Sequence, residues 1–459
     1  MDKIAHERYI RIQRTRNYDD LPGNIKSRER YQRSKKNNEL WLEESRTVIK
    51  TQDIIRQTAV WIKDDISSEP SSFEFSIQEI IYTFNGHQKV RHISLQHKLP
   101  AEYVITPQTP PIQNMKHYKF FIDLYYDDFG AFNKAYHKLG GIYVQIGNMN
   151  KELRKKLKNH FLIGFVPFGG EFKDTLKEFI SDMKELQDGI AMEIKDEKVW
   201  VTAGFRMATA DLPQGNDMAG IKRQNAEYGC RACKVPQDQL ADINFDIIQN
   251  GRYHHLINKI YDDIKAAKNN TVKKRIAKEH GVCLTPNILD ELSRDRHIQI
   301  PHDPFHCLAG LARRLFEHIF KQELERSGLE AFNNTWRSFE IPNNWKRLQS
   351  PINHFESYWM SDSLRLVMIM PFILLRCLDI SYLKQDFANT VKENCLLTNL
   401  RQVKGEIIKT WSLFAKVCAK VFANEFLCES TNDYYELDQL LLELVRKLNK
   451  VINNCIYYL

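Results

Sequence analysis

The sequence predicts an α/β protein: a mixed sheet with covering helices, followed by a mostly helical C-terminal region. Three observations carry this reading. From residue 117, three short segments rich in aromatic and β-branched residues follow one another, each bounded by Gly, Asn or acids. A segment with apolar residues three and four apart then separates them from a fourth such run. Beyond residue 240 the apolar spacing is mostly helical.

The elements are read in order. Residues 1–36 hold 11 Lys/Arg against 5 Asp/Glu with little periodicity, which predicts a basic, flexible arm. Residues 39–66 place apolar side chains at helical spacing and read as an amphipathic helix. SSEPSS at 67–72 is a break, and PQTPPIQN at 107–114 is a Pro-rich linker that marks a domain boundary. HYKFFIDLYYDD, GIYVQIGNM and NHFLIGFVPFGG are three strands of one sheet. EFKDTLKEFISDMKELQDGI is a helix, and VWVTAGFRMATADLP returns to strand character. YHHLINKIYDDIKAAKN, PNILDELSRD, CLAGLARRLFEHIFKQELER, SDSLRLVMIMPFILLRCLDI and residues 403–459 are helical.

Composition narrows the function classes. The chain has 459 residues, enough for about two to four domains. With 43% hydrophobic and 27% charged residues it has the makings of an ordinary folded core. Lys and Arg number 66 and Asp and Glu 58, a net charge of +8 that permits a nucleic-acid partner without demanding one. Nine scattered cysteines do not make a disulfide scaffold, and a reducing compartment is expected. The N-terminal stretch is polar, so no secretory signal is expected. The longest apolar run, 366–375, contains Pro371 and is too short to cross a bilayer.

Several residues have the chemistry of a site. Asp127 and Asp128 end the first strand of the sheet, and Asp211 ends the fourth. Carboxylates at the ends of neighbouring strands can hold divalent ions through oxygen; Asp is also a common turn residue. Cys230-x-x-Cys233 is half of a zinc site, a redox pair, or two core cysteines. His254, His255, His302 and His306 are the candidate partners, the last two being four apart. Asp303 precedes Pro304 and reads as a helix cap, which leaves His306 without an account. Glu356 and Asp362 precede a buried helix, as a cap or as a further metal-binding acid. There is no P-loop, GxGxxG, GxSxG or HExxH motif.

Taken in order, LYYDDFG (124–130), ADLPQGNDMAG (210–220), YGCRAC (228–233), HGVCLTPNIL (280–289), IPHDPFHCLAGLARRLFE (300–317) and MSDSLRLVMIMPF (360–372) resemble the CACTA (En/Spm-type) cut-and-paste DNA transposases of plants and fungi. The resemblance covers about 117–380. It implies an RNase H-like catalytic core with a DDE/DDD triad and a helical insertion. The first acid carries onto Asp127, the second onto Asp211 and the third onto Asp362, with Glu356 in reserve; this chain has Asp-Ser where relatives have Glu-Trp.

The triad would hold Mg²⁺ or Mn²⁺. Cys230 and Cys233, with His302 and His306 of the DPxH segment, would hold a structural zinc ion. The implied organisation is an arm (1–36), an N-terminal helical or mixed region and linker (37–114), the first part of the catalytic core with the CxxC (115–240), a helical insertion (241–350), a core helix with the third acid (351–380) and a helical region (381–459). The implied partners are double-stranded DNA and further copies of the chain, with no membrane, and the implied location is the nucleus. RYQRSKK at 30–36 is the best import candidate. Lys151, Arg154, Lys155, Lys156 and Lys158 form another basic cluster, read as a solvated turn before DNA contact. A remnant that binds DNA without cutting it is the alternative. A helical scaffold, unrelated to these enzymes, would leave Asp127 and Asp211 on unrelated surfaces.

Overall fold

The computed structural model describes residues 9–27, 38–50, 54–64, 69–70, 72–97, 115–130, 138–423 and 431–452. The predicted linker at 107–114 and the RYQRSKK run lie outside these residues. The strands are β1 (Tyr9–Arg16), β2 (Glu39–Lys50), β3 (Val60–Ile62), β4 (Phe75–Phe84), β5 (His87–His92), β6 (Lys116–Gly130), β7 (Lys138–Ile146), β8 (Phe161–Val166), β9 (Ile190–Ile194) and β10 (Glu197–Thr209). The helices of seven residues or more are α1 (Phe172–Asp188), α2 (Leu212–Met218), α3 (His254–Ala266), α4 (Asn270–His280), α5 (Pro304–His318), α6 (Arg326–Ser338), α7 (Met360–Cys377), α8 (Gln385–Asn394), α9 (Arg401–Val421) and α10 (Thr431–Val451). This is a mixed α/β protein with a mostly helical C-terminal region, as the sequence predicts.

The chain divides into two compact units. The smaller comprises Met1–Ile105, Arg231–Lys234 and Asp246–Ile276; the larger comprises Thr106–Cys230, Val235–Phe245 and Ala277–Leu459. In the smaller unit, strands run in the order β1-β2-β4-β3, with β5 also paired to β4. Trp41 of β2 is buried and its indole N–H donates to Glu79 of β4 at 2.9 Å. Asp246 accepts from the Tyr82 hydroxyl at 2.8 Å and from Lys89 at 2.7 Å, so the segment after 245 packs with these strands.

Two expectations fail in this unit. Residues 39–50 are a strand, not the start of a helix, and 60–62 are a second strand. Residues 9–16, read as part of a flexible arm, pair antiparallel with β2. The cause is the same in both cases. Main-chain pairing with distant strands, and side-chain packing such as Trp41 against Glu79, outweighs a weak local helical pattern.

The larger unit holds a five-stranded sheet in the order β8-β7-β6-β10-β9, with β6 and β10 parallel at its centre. Leu124, Ile142 and Phe205 are buried on it. The helix α1 sends Leu176, Phe179, Ile180 and Met183 inward at helical spacing and packs on β10 and β8. It ends at Gly189, whose φ of +96° is left-handed and where a Cβ would run into the Trp200 ring. The edge strand β9 joins β10 through Lys195 and Asp196, both at positive φ. A Lys-Asp pair is not the Asn-Gly or Asp-Gly that announces such a turn, so this hairpin has little sequence signature.

The register between β6 and β10 changes along its length. Val199 lies opposite Lys116, an offset of 83 residues, and Met207 lies opposite Asp123, an offset of 84. A bulge at Arg206 makes the change. Gln299 clamps it: its side-chain amide donates to the carbonyls of Phe205 and Arg206, at 2.8 and 2.9 Å, and its own carbonyl accepts from Ala208 at 2.8 Å. Arg206 itself binds Asp123 through two guanidinium nitrogens, and Arg154 reaches the same carboxylate at 2.9 Å.

The helical body is built on α5, α7, α9 and α10, whose apolar residues make one continuous core. Leu366, Val367, Met370, Ile373 and Leu374 of α7 are fully buried, and Phe316 of α5 stacks on Trp411 of α9 at 5.4 Å. Among the described residues no helix is long and apolar enough to cross a membrane. PNILDELSRD, expected as a helix, makes one short turn, Ile288–Glu291. Its Asp290 binds Arg294 and Arg296, both buried, and Arg294 also donates to the Met218 carbonyl at 2.8 Å.

Burial alone would raise the Asp290 pKa, but the two guanidinium groups overcome it and hold the carboxyl below its usual range. The stability it contributes is full above the unfolded value of about 3.9 and is lost as pH falls through the lower folded value. Asp290→Asn removes the carboxylate that two buried guanidinium groups share and costs about 3–5 kcal/mol, read in a denaturant titration at pH 7.

Candidate functional site

The site begins with the register just described. After the bulge, Thr209 lies opposite Tyr125. The ladder ends there; extended by two residues, the offset of 84 brings Asp211 level with Asp127, and Asp127 is among the charges that act on Asp211. Alternation along β6 sends Asp127 to the face of Asp123 and Tyr125, and Asp128 to the opposite face with Tyr126. The Tyr125 hydroxyl donates to Asp127 Oδ2 at 3.0 Å, and that of Tyr126 to Asp128 Oδ1 at 3.1 Å. Asp128 also accepts from Gln214 at 2.9 Å. Opposite these acids β7 has Gly140 and Gly141. A Cβ on Gly140 would press on the Tyr126 ring at 2.7 Å and on Asp128 at 3.1 Å, so glycine leaves room for the pair.

Asp211 caps α2. Its Oδ1 accepts from the Gln214 amide at 3.1 Å, and Pro213 stands in the first turn. Asp303 does the same for α5, accepting from the Phe305 and His306 amides at 2.7 and 3.4 Å, with Pro304 next to it. Its second oxygen meets His306 Nδ1 at 2.5 Å. Among the described residues, Asp127 Oδ1 and Asp211 Oδ2 accept no hydrogen bond.

The charges of these groups reach one another. Burial raises the Asp211 pKa, the Gln214 amide opposes that, Asp127 and Asp128 add to it, and His306 counters. The Tyr125 hydroxyl is pushed up by burial and then by Asp127, with smaller effects from Asp303 and Asp211. Asp127, Asp211, Asp303 and His306 therefore share one electrostatic neighbourhood, drawn from a strand and two helix N-termini.

The other predicted ligands are placed differently. Asp362 lies in the first turn of α7, pairs with Arg365 at 3.2 Å, and raises the Tyr358 pKa after burial does. Glu356 is exposed and bound to Lys321 at 3.1 Å. Cys230 belongs to the larger unit and Cys233 to the smaller. The carbonyl of Cys233 accepts from the buried Arg252 at 3.2 Å, and Cys233 bridges to Gly251. His302 is exposed, while His306 is drawn to Asp303. His254 and His255 open α3 in the smaller unit.

Among the described residues, no three His, Cys, Asp or Glu side chains are grouped as a metal site. Neither the predicted set Cys230, Cys233, His302 and His306 nor the triad Asp127, Asp211 and Asp362 is assembled as a closed cage. Local partners hold the missing members: Asp303 for His306, Arg365 for Asp362. Sequence reasoning missed Tyr125, Gly140 and Gln299. The KLGG run opposite an acid-ended strand was the one available signal for any of them.

No family model and no curated protein matches the chain.

The pH behaviour of Asp211 follows from its raised pKa. From about pH 3.9 up to the higher folded value, the folded state keeps a proton that the unfolded chain releases, so this group's contribution falls as pH rises. Asp211→Asn keeps a cap and removes the charge. It melts at or above the wild-type temperature at pH 7 and loses this slope. Asp211→Ala loses the cap and is about 1 kcal/mol less stable. Thermal melts of both variants between pH 3 and pH 8 (roughly the span over which carboxylates titrate) check this.

Proposed function

We propose that the chain is a transposase, or a protein derived from one, that cleaves and rejoins DNA strands at transposon ends with Mg²⁺ or Mn²⁺. The observation that carries it is that Asp127 and Asp211 follow the last pair of two adjacent parallel strands and act on one another's charge, each with a carboxylate oxygen to spare. Ligands of open α/β sheets are bound outside the carboxyl ends of the strands. A scaffold with these acids on unrelated surfaces is disfavoured by the same observation.

The donor set suits a hard cation. Both side chains offer oxygen; burial first, and then the charges of Asp127 and Asp128, raise the Asp211 pKa, and a divalent ion would offset that negative charge. Such an ion would polarise a phosphoryl oxygen and acidify a water molecule. The thiolate and imidazole set is not grouped among the described residues.

The chain's own groups have separate tasks. Tyr125 fixes the Asp127 carboxylate by its hydroxyl. The N-terminus of α2 fixes Asp211 and favours its charge. Asp303 orients the His306 ring, whose remaining nitrogen can carry a proton or meet a phosphate oxygen. In this reading Asp303 and His306 complete the site, and Asp362 does not. With the reading come a double-stranded DNA substrate, assembly of more than one copy on paired ends, and action in the nucleus. The net charge of +8 is consistent with it. A second reading, a DNA-binding protein without cleavage, is favoured by one observation: Asp362 is held by Arg365, and no three acids are grouped among the described residues.

The test is cleavage of labelled duplex DNA carrying the ends of the element that encodes this chain, in Mg²⁺ and in Mn²⁺. Asp127→Asn and Asp211→Asn are expected to lower cleavage by at least about 100-fold, and Asp303→Asn by about 10–100-fold. Asp362→Asn is expected to stay within a few-fold of wild type. Binding without cleavage in either metal selects the second reading. Loss of cleavage in Asp362→Asn, with Asp303→Asn unaffected, returns the third acid to Asp362.

A further inference from the structure

A cavity of about 220 Å³ is lined by Tyr126 and Asp128 of β6, Phe172 of α1, Gln214 and Asp217 of α2, and Arg223. It is separate from the acid pair, because alternation along β6 puts Tyr126 and Asp128 on the face that Asp127 does not use. The rings of Tyr126 and Phe172 stand 4.8 Å apart and tilted by 50°, so an aromatic corner forms one wall.

The charges of the lining do not balance. Arg223 is spent on Asp217, which it binds through Nε and Nη2 at 3.2 and 2.7 Å. Asp128 receives only neutral donors, the Tyr126 hydroxyl at 3.1 Å and the Gln214 side-chain amide at 2.9 Å. Two carboxylates against one guanidinium leave one negative charge in excess, and it resides on Asp128.

Gln214 is 7% exposed, and its amide meets Asp128 through nitrogen. A carboxylate only accepts, so the amide cannot be turned over. Its Oε1 is buried and has no hydrogen-bond partner among the described residues. A buried carbonyl without a donor costs stability. The remaining polar group of the lining, Asn287, is occupied at both ends, by the Asp217 carbonyl and the Leu289 amide.

These features together select an occupant. A carboxylate without a cation favours positive charge, and an orphaned carbonyl favours an N–H donor. Aromatic rings favour an organic cation over a strongly hydrated metal ion. We infer that the cavity binds an alkylammonium or alkylguanidinium group, with its N–H donors on Asp128 and on Gln214 Oε1 and its charge against the Tyr126 and Phe172 rings. A free amine and a lysine or arginine side chain of a peptide share this chemistry. Such a group binds whether or not the chain acts on DNA.

The experiment is isothermal titration calorimetry of the full chain with butylammonium, butylguanidinium and tetramethylammonium at one ionic strength, with a thermal melt of each variant. At least one butyl cation is expected to bind wild type. Tetramethylammonium has the charge but no N–H, and is expected to bind at least about tenfold more weakly. Asp128→Asn is expected to weaken the butyl cation at least about tenfold. Arg223→Gln removes the one cation of the lining and is expected to tighten binding by about two- to tenfold. If Asp128→Asn does not fold, Arg223→Gln decides, since its side chain is exposed. Nα-acetyl-lysine amide and Nα-acetyl-arginine amide separate the sources: tighter binding than the butyl cations selects a peptide side chain, and weaker binding a free amine. Absence of binding by both butyl cations overturns the assignment. So does an affinity unchanged in Asp128→Asn, or tetramethylammonium binding as tightly as the butyl cations.

Discussion

One irregular peptide unit in β10 sets the position of everything at the candidate site. Up to Phe205 the two central strands run with an offset of 83 residues, which would have placed Asp211 beside Asp128. The bulge at Arg206 adds one residue, and the register that follows, extended past Thr209 and Tyr125, brings Asp211 level with Asp127 instead. A shift of one in a strand exchanges its two faces. Gln299, far away in sequence, holds the shift in place by donating to the carbonyls of Phe205 and Arg206. The displaced Arg206 finds Asp123 on the face that Asp127 also occupies, so the same irregularity neutralises one acid of that face and leaves the next available.

The acids at the site serve two masters. Asp211 and Asp303 each close a helix N-terminus, where free amide groups and the helix dipole stabilise a carboxylate. That favours the ionised form against the repulsion of Asp127 and Asp128. A structural explanation is thus sufficient for the residue type at both positions, and the functional one rests on their convergence with Asp127. Capping also fixes geometry. Each of the two side chains has one oxygen tied to its own backbone, so its direction is set before any ligand arrives.

The parts of this fold that were legible in the sequence are those whose signals are local. The aromatic strands before and after α1, α1 itself and the buried helix at 360–377 have periodicities that no distant partner needs to correct. The acids Asp127 and Asp211 stand out in the sequence too, because both close apolar runs. Where the outcome depended on distant partners, reading failed. β1 and β2 exist through each other, the segment around Cys233 through Arg252 and Gly251. Gln299 and Gly140 have no signature of their own, since their roles are defined by a bulge and by a neighbouring tyrosine. His306 reads from the sequence as a partner of the two thiolates, and the structure puts the Asp303 carboxylate, one turn away, on its ring.

The helix α5 gives its first turn to the site and its body to the core. Six of its side chains are buried in the helical cluster, and Asp303 and His306 stand at its head. Inheritance therefore treats the two ends unequally. In a copy no longer under selection, random substitutions strike the larger buried set more often than the two polar residues. Such a copy loses the placement of Asp303 and His306 through the erosion of residues like Phe316 while both still read intact in the gene.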